Sequence, residues 1–129
     1  ARIGLYFYKP HGNLPCSIQA ALTFAKQKVG LEFTKEQEKL VSYYIKEGGF
    51  KAFSSVLNSD VLSTAVALFV LRETNYDLRL IAPDCLNFVQ KNYSSGAFLS
   101  GDGDKTRDLE YTFYGLLALG TLIEDSNGE

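Results

Sequence analysis

The sequence predicts an all-α fold built from stacked two-helix repeats. Three observations lead there: a self-similarity with a period of about 48 residues, an amphipathic segment in each period, and a nearly all-apolar segment in each period. The chain has 129 residues, of which 46% are apolar. That suits one globular domain burying roughly two-thirds of the surface of its unfolded chain. Nine Phe and eight Tyr are too many aromatics for a disordered chain. With 13 basic and 15 acidic residues the net charge is −2, which excludes nucleic-acid binding by bulk positive charge.

The repeat is legible residue by residue. Gly48-Gly49-Phe50, Asp60, Thr64, Leu68 and Leu71 recur 48 residues later as Gly96-Ala97-Phe98, Asp108, Thr112, Leu116 and Leu119. Upstream, Leu40 and Val41 match Phe88 and Val89 at the same spacing. A weaker copy precedes them, with Asn13, Ser17 and Ala21 matching Asp60, Thr64 and Leu68 at a spacing of 47, and Gly4-Leu5 as its decayed glycine-aromatic element. The chain is therefore expected to be a single domain over 1–129, with a degenerate repeat at 1–30 and repeats at 34–75 and 77–123.

The elements follow in order. Asn13 is expected to cap a first inner helix, with Pro15 in its first turn and Gly30 as its stop. Thr34-Lys35-Glu36-Gln37 reads as a capping box that opens an amphipathic outer helix. Its stripe is Leu40, Val41, Tyr44 and Ile45, with Tyr43 and Tyr44 ending it as core residues. Asp60 should cap an inner helix from Val61 to Leu71 that is apolar on nearly every side and hence covered on several. Pro83 marks the first turn of the next outer helix, which turns Leu86 and Val89 inward. Asp108 should cap a third inner helix. There Glu110, in the first turn, complements the helix dipole. The apolar run 111–123 has 13 residues and two glycines, short of the roughly 18 a membrane span needs.

Cys16 and Cys85 lie 69 residues apart without a C-x-x-C pair, so they read as reduced, buried thiols of a soluble intracellular protein. The opening Ile3-Gly4-Leu5-Tyr6-Phe7-Tyr8 lacks the pattern of a signal peptide, and the chain is expected to be cut from something longer or processed. Asn92-Tyr93-Ser94 is a formal glycosylation triplet of the kind that arises by chance.

Gly48-Gly49-Phe50…Asp60-x3-Thr64 and Gln90…Gly96-Ala97-Phe98…Asp108-x3-Thr112 resemble the repeat of the prenyltransferase and squalene-cyclase family. The resemblance is good over 34–122 and poor over 4–30. It implies an α/α toroid, whose inner helices surround an apolar cavity that holds an isoprenoid. A closed ring of six such periods needs about 290 residues. This chain supplies about two and a half, so a partial toroid or arc is expected, completed by missing repeats of a longer chain or by self-association. The Gly-Cys-Gly-Glu-Gln motif of toroidal thioester domains is absent.

The family's catalytic residues do not carry over. Its prenyltransferases hold zinc with an inner-helix Asp, a Cys two residues on, and a His. Here the residues two past each cap are Pro15, Leu62 and Glu110, and the one histidine, His11, sits in a Pro-His-Gly loop. Zinc is not expected, and no cofactor is. The D-x-D-D acid cluster of the cyclases is absent too. By the resemblance Phe69, Tyr111, Phe113 and Tyr114 would be ligand contacts on the cavity side, while the plain reading of Tyr111, Phe113 and Tyr114 is packing against the neighbouring repeat. The resemblance places Lys105 and Arg107 at the cavity mouth, where they would meet a diphosphate. Asp102, Asp104 and Asp108 have the alternating spacing of a calcium loop, but Phe113 occupies the position of its bidentate Glu, and the plain reading is a solvated turn leading into Asp108. The expected function is binding of an apolar, isoprenoid-like ligand, as a repeat protein or part of a prenyl-processing enzyme, with no complete catalytic site in this chain. The alternative is a non-catalytic scaffold for protein–protein contacts or oligomerisation.

Overall fold

The computed structural model describes residues 14–46, 48–94, 97–98, 117–118 and 120–122. Among these the chain is mostly helical: α1 (Cys16–Lys28), α2 (Thr34–Val41), α3 (Val61–Glu73) and α4 (Ala82–Lys91), with residues 117–118 and 120–122 helical again. Two short antiparallel ribbons follow the even-numbered helices. Phe50–Lys51 (β1) pairs with Ser59–Asp60 (β2), and Tyr93–Ser94 (β3) pairs with Ala97–Phe98 (β4).

The inner helices α1 and α3 lie side by side and parallel. Contacts run along both in the same order: the Cys16 thiol reaches the Ser63 carbonyl at 3.9 Å, the Phe24 ring meets Phe69 at 6.2 Å, and the Gln27 side-chain amide donates to the Glu73 carbonyl at 3.1 Å. Helix α2 runs the opposite way. Its start pairs with the end of α1, Lys26 to Glu36 at 3.2 Å, and past its end the Tyr43 hydroxyl donates to the Leu14 carbonyl at the head of α1.

Both inner helices have 13 residues and end alike. Gly30 (φ +78°) and Asn75 (φ +63°) take the left-handed conformation just past each end. Their N–H groups bond Gln27 and Arg72, and the next N–H groups, of Leu31 and Tyr76, reach back to Lys26 and Leu71. These paired bonds satisfy carbonyls the helix leaves open. Each following loop is pinned by a carboxylate: Glu32 accepts from the Thr34 N–H at 2.8 Å, Asp77 from the Arg79 N–H at 3.1 Å.

Helix α3 is the centre of the core. Val61, Ala65, Leu68 and Leu71 are fully buried, as are Leu40, Phe50, Cys85 and Val89 from the surrounding elements. An apolar sequence all round suits a helix covered on several sides.

Four local expectations are corrected. Thr34 is the first residue of α2, not its cap. Phe33 stands at the cap with no side-chain bond, because Glu32 takes the Thr34 N–H and the Gln37 amide is drawn to Thr74 at the end of α3. The first helix begins at Cys16, after Leu14 and Pro15, so Pro15 is not inside its first turn. The Cys16 N–H donates outside the helix, to Ala52 at 2.7 Å. The inner helices are 45 residues apart, not 47, while the outer helices start 48 apart. The difference is three extra residues, 79–81, before α4. Finally, α2 stops at Val41, so Tyr43 and Tyr44 lie beyond it, with Tyr43 buried and Tyr44 bridged to Phe50. Asp60 caps α3 and Pro83 sits in the first turn of α4, both as expected.

Candidate functional site

The glycine-aromatic motif Gly48-Gly49-Phe50 is a structural joint. Asp60 accepts from the Ser63 N–H at 2.8 Å and from its hydroxyl at 3.0 Å, which starts α3. The Thr64 hydroxyl donates to the Asp60 carbonyl at 2.7 Å and accepts the Phe50 N–H at 2.8 Å, locking β1 onto α3. Gly48 and Gly49 both have φ near +90°. A Cβ at Gly48 would lie 2.3 Å from the Asp84 carbonyl oxygen, and one at Gly49 would lie 2.8 Å from both Phe88 and Ser59. The glycines therefore let α4 seat directly on the turn. Tyr44 donates to Asp84 at 3.0 Å across the same joint, and burial with that bond pushes its phenol up to about 12.

The candidate ligand site is the open face of the inner helices. The second, sixth, ninth and thirteenth residues of each helix share one stripe by helical periodicity. On α1 these are Ser17, Ala21, Phe24 and Lys28, and on α3 they are Leu62, Val66, Phe69 and Glu73. All eight are partly or fully exposed, although α3 is otherwise buried apart from Arg72. The Phe24–Phe69 pair joins the two stripes. Cations close its far end: Lys28 stands over the Phe24 ring at 5.1 Å, and Arg72, paired with Glu73 at 3.1 Å, stands over the Phe69 ring at 5.6 Å. The arrangement offers an apolar, aromatic-centred surface with charge at one end.

The thiols are poor nucleophiles. Burial, then the nearby Asp60 carboxylate, pushes Cys16 far up, and its thiol donates to the Ser63 carbonyl. Burial raises Cys85 to about 11 against a hydrogen bond from the Gly49 backbone. Both are free and buried. Asn92 of the glycosylation triplet donates its side-chain amide to the Phe88 carbonyl at 2.8 Å.

Of the residues singled out in the sequence, Phe69 lies on the open face. Tyr111, Phe113, Tyr114, Lys105, Arg107, Asp102, Asp104, Asp108 and His11 lie outside the described residues. Phe24 was not singled out. It stands 45 residues before Phe69, a match hidden by a spacing of 47. Among the described residues no cluster of three or more His, Cys, Asp or Glu is placed to hold a metal, and no helix is long and apolar enough to cross a membrane. No protein-family model, curated protein or solved structure matches the chain.

Proposed function

We propose that this chain is an α/α-repeat module of the prenyltransferase and squalene-cyclase type, and that the open face of its inner helices binds an apolar, isoprenoid-like ligand. The observation that carries this reading is the paired stripe centred on Phe24 and Phe69. Five of its eight positions, Ala21, Phe24, Leu62, Val66 and Phe69, are apolar and at least partly exposed, while the rest of α3 apart from Arg72 is buried. By the 48-residue spacing Tyr114 and Leu117 follow Val66 and Phe69, so the third period continues the stripe in sequence. Catalysis is not part of the proposal.

The test is a fluorescence titration of delipidated protein with a dansyl-labelled farnesyl or geranylgeranyl analogue. Saturable binding is expected. Phe69→Ser and Phe24→Ser should each weaken it about tenfold, the scale of one lost buried aromatic contact. Absence of saturable binding, or binding indifferent to both substitutions, would sink the reading.

A second reading is a non-catalytic scaffold. It is favoured by the uncharged loop 52–58, where Phe53, Val56 and Leu57 are exposed, Leu57 to 89%. If that loop docks a protein partner, Leu57→Asp abolishes the complex and leaves analogue binding intact.

A further inference from the structure

We propose that Lys28 and Arg72 set the charge class of the ligand: the open face takes a neutral isoprenoid and turns away one that brings a positive charge to the aromatic pair. The inference rests on the ligand reading above and narrows it.

The open face carries its charge at one end only. The stripe positions from Ser17 to Phe24 and from Leu62 to Phe69 are uncharged, and Lys28 and Glu73 follow them. Glu73 is paired with its neighbour Arg72 at 3.1 Å, and Lys26 is paired with Glu36 at 3.2 Å. Lys28 makes no ion pair among the described residues, so it leaves a net positive charge beside the rings.

An aromatic ring attracts a cation through the negative charge of its face. Both rings of this pair already hold a cation that belongs to the chain. The Lys28 ammonium stands 5.1 Å from the Phe24 centroid, and the Arg72 guanidinium stands 5.6 Å from the Phe69 centroid. A further cation at the rings would meet two like charges close by, among apolar side chains that screen charge less than water does. The ring pair is therefore a packing surface for hydrocarbon, and it is not a seat for an ammonium or a carbocation.

The same two residues remove a competing attraction. Helices α1 and α3 are parallel, so both carbonyl ends lie at this end of the stripe and favour positive charge. Lys28 and Arg72 occupy the last turns of those helices and answer that preference. The chain as a whole carries a net charge of −2, which favours a cationic ligand at long range, so the rejection is local.

The test is displacement of the dansyl-labelled farnesyl analogue by farnesol and by farnesylamine at neutral pH. The two probes share one chain, and the amine is protonated as a lysine is. Farnesol is expected to displace the analogue at about a tenfold lower concentration, the scale of one like-charge contact near a protein surface. The gap should shrink as salt is raised. Lys28→Glu should close or invert it. Lys35→Glu, at an exposed position of α2, changes the total charge equally and should leave it in place. Circular dichroism and urea midpoints verify that both variants are folded. Equal displacement by the two probes overturns the charge selection alone and leaves the ligand reading standing. A gap that Lys28→Glu preserves, or that Lys35→Glu also closes, overturns it too. An analogue that does not bind at all overturns the ligand reading and this inference together.

Discussion

Gly49 combines a left-handed φ of +92° with a neighbour 2.8 Å from where a Cβ would stand, and Gly30 combines φ +78° with open space. The two separate backbone strain from crowding. Gly30→Ala should cost about 1 kcal/mol from the left-handed conformation alone. Gly49→Ala adds a clash with Phe88 and Ser59, and should cost about 3 kcal/mol in urea unfolding. Equal losses would show that the seat under α4 yields freely. The buried thiols make a second residue-scale prediction. Cys85 is raised from 9.0 to about 11, and Cys16 is raised as well, both chiefly by burial. Their stabilising effect is complete below pH 9, where the unfolded thiols are neutral too. It is lost as pH climbs through 9 toward 11, because the unfolded state then releases protons that the folded state keeps, at up to about 1.4 kcal/mol per pH unit for each thiol. A Cys16→Ala/Cys85→Ala double variant should show a shallower alkaline decline in urea-derived stability, whatever its plateau. An unchanged slope would contradict burial as the cause.

At the scale of elements, side-chain amides tie the end of α3 to its neighbours. Gln37 donates to both the carbonyl (3.1 Å) and hydroxyl (2.9 Å) of Thr74. Gln37→Ala should destabilise by about 1–2 kcal/mol, measurable by urea titration. This contact also shows why the capping box misled: a local pattern was overridden by a partner 37 residues away. Asp60 and Pro83 were legible because their partners lie within the next turn, where sequence spacing carries the geometry. Phe24 was obscured because no Asp marks the start of α1, so its period was counted from Asn13. The pairing of Phe24 with Phe69 is itself testable. A double-mutant cycle to alanine should return a coupling of about 0.5–1.5 kcal/mol. A coupling of zero would remove the contact that joins the two stripes.

On the scale of the whole molecule, the parallel helices α1 and α3, the opposed α2 and the ribbon of β1 and β2 pack around one core. The helical character could be read from Asp60, Thr64 and the glycine-aromatic element before them, since each has a fixed structural duty at the start of α3. The open face could be read only in part. Exposure of Leu62, Val66 and Phe69 depends on what packs on the other sides of α3, and periodicity cannot say which side of an all-apolar helix is left uncovered. The central claim is that this open face binds an apolar ligand, and photo-cross-linking with a diazirine-bearing farnesyl analogue tests it most directly. Peptide mapping should place the label within α3, at Leu62, Val66 or Phe69, or on α1 at Phe24, with labelling suppressed by excess unlabelled analogue. Label confined to the loop 52–58 or to the outer helices, or label that excess analogue does not displace, would contradict the account.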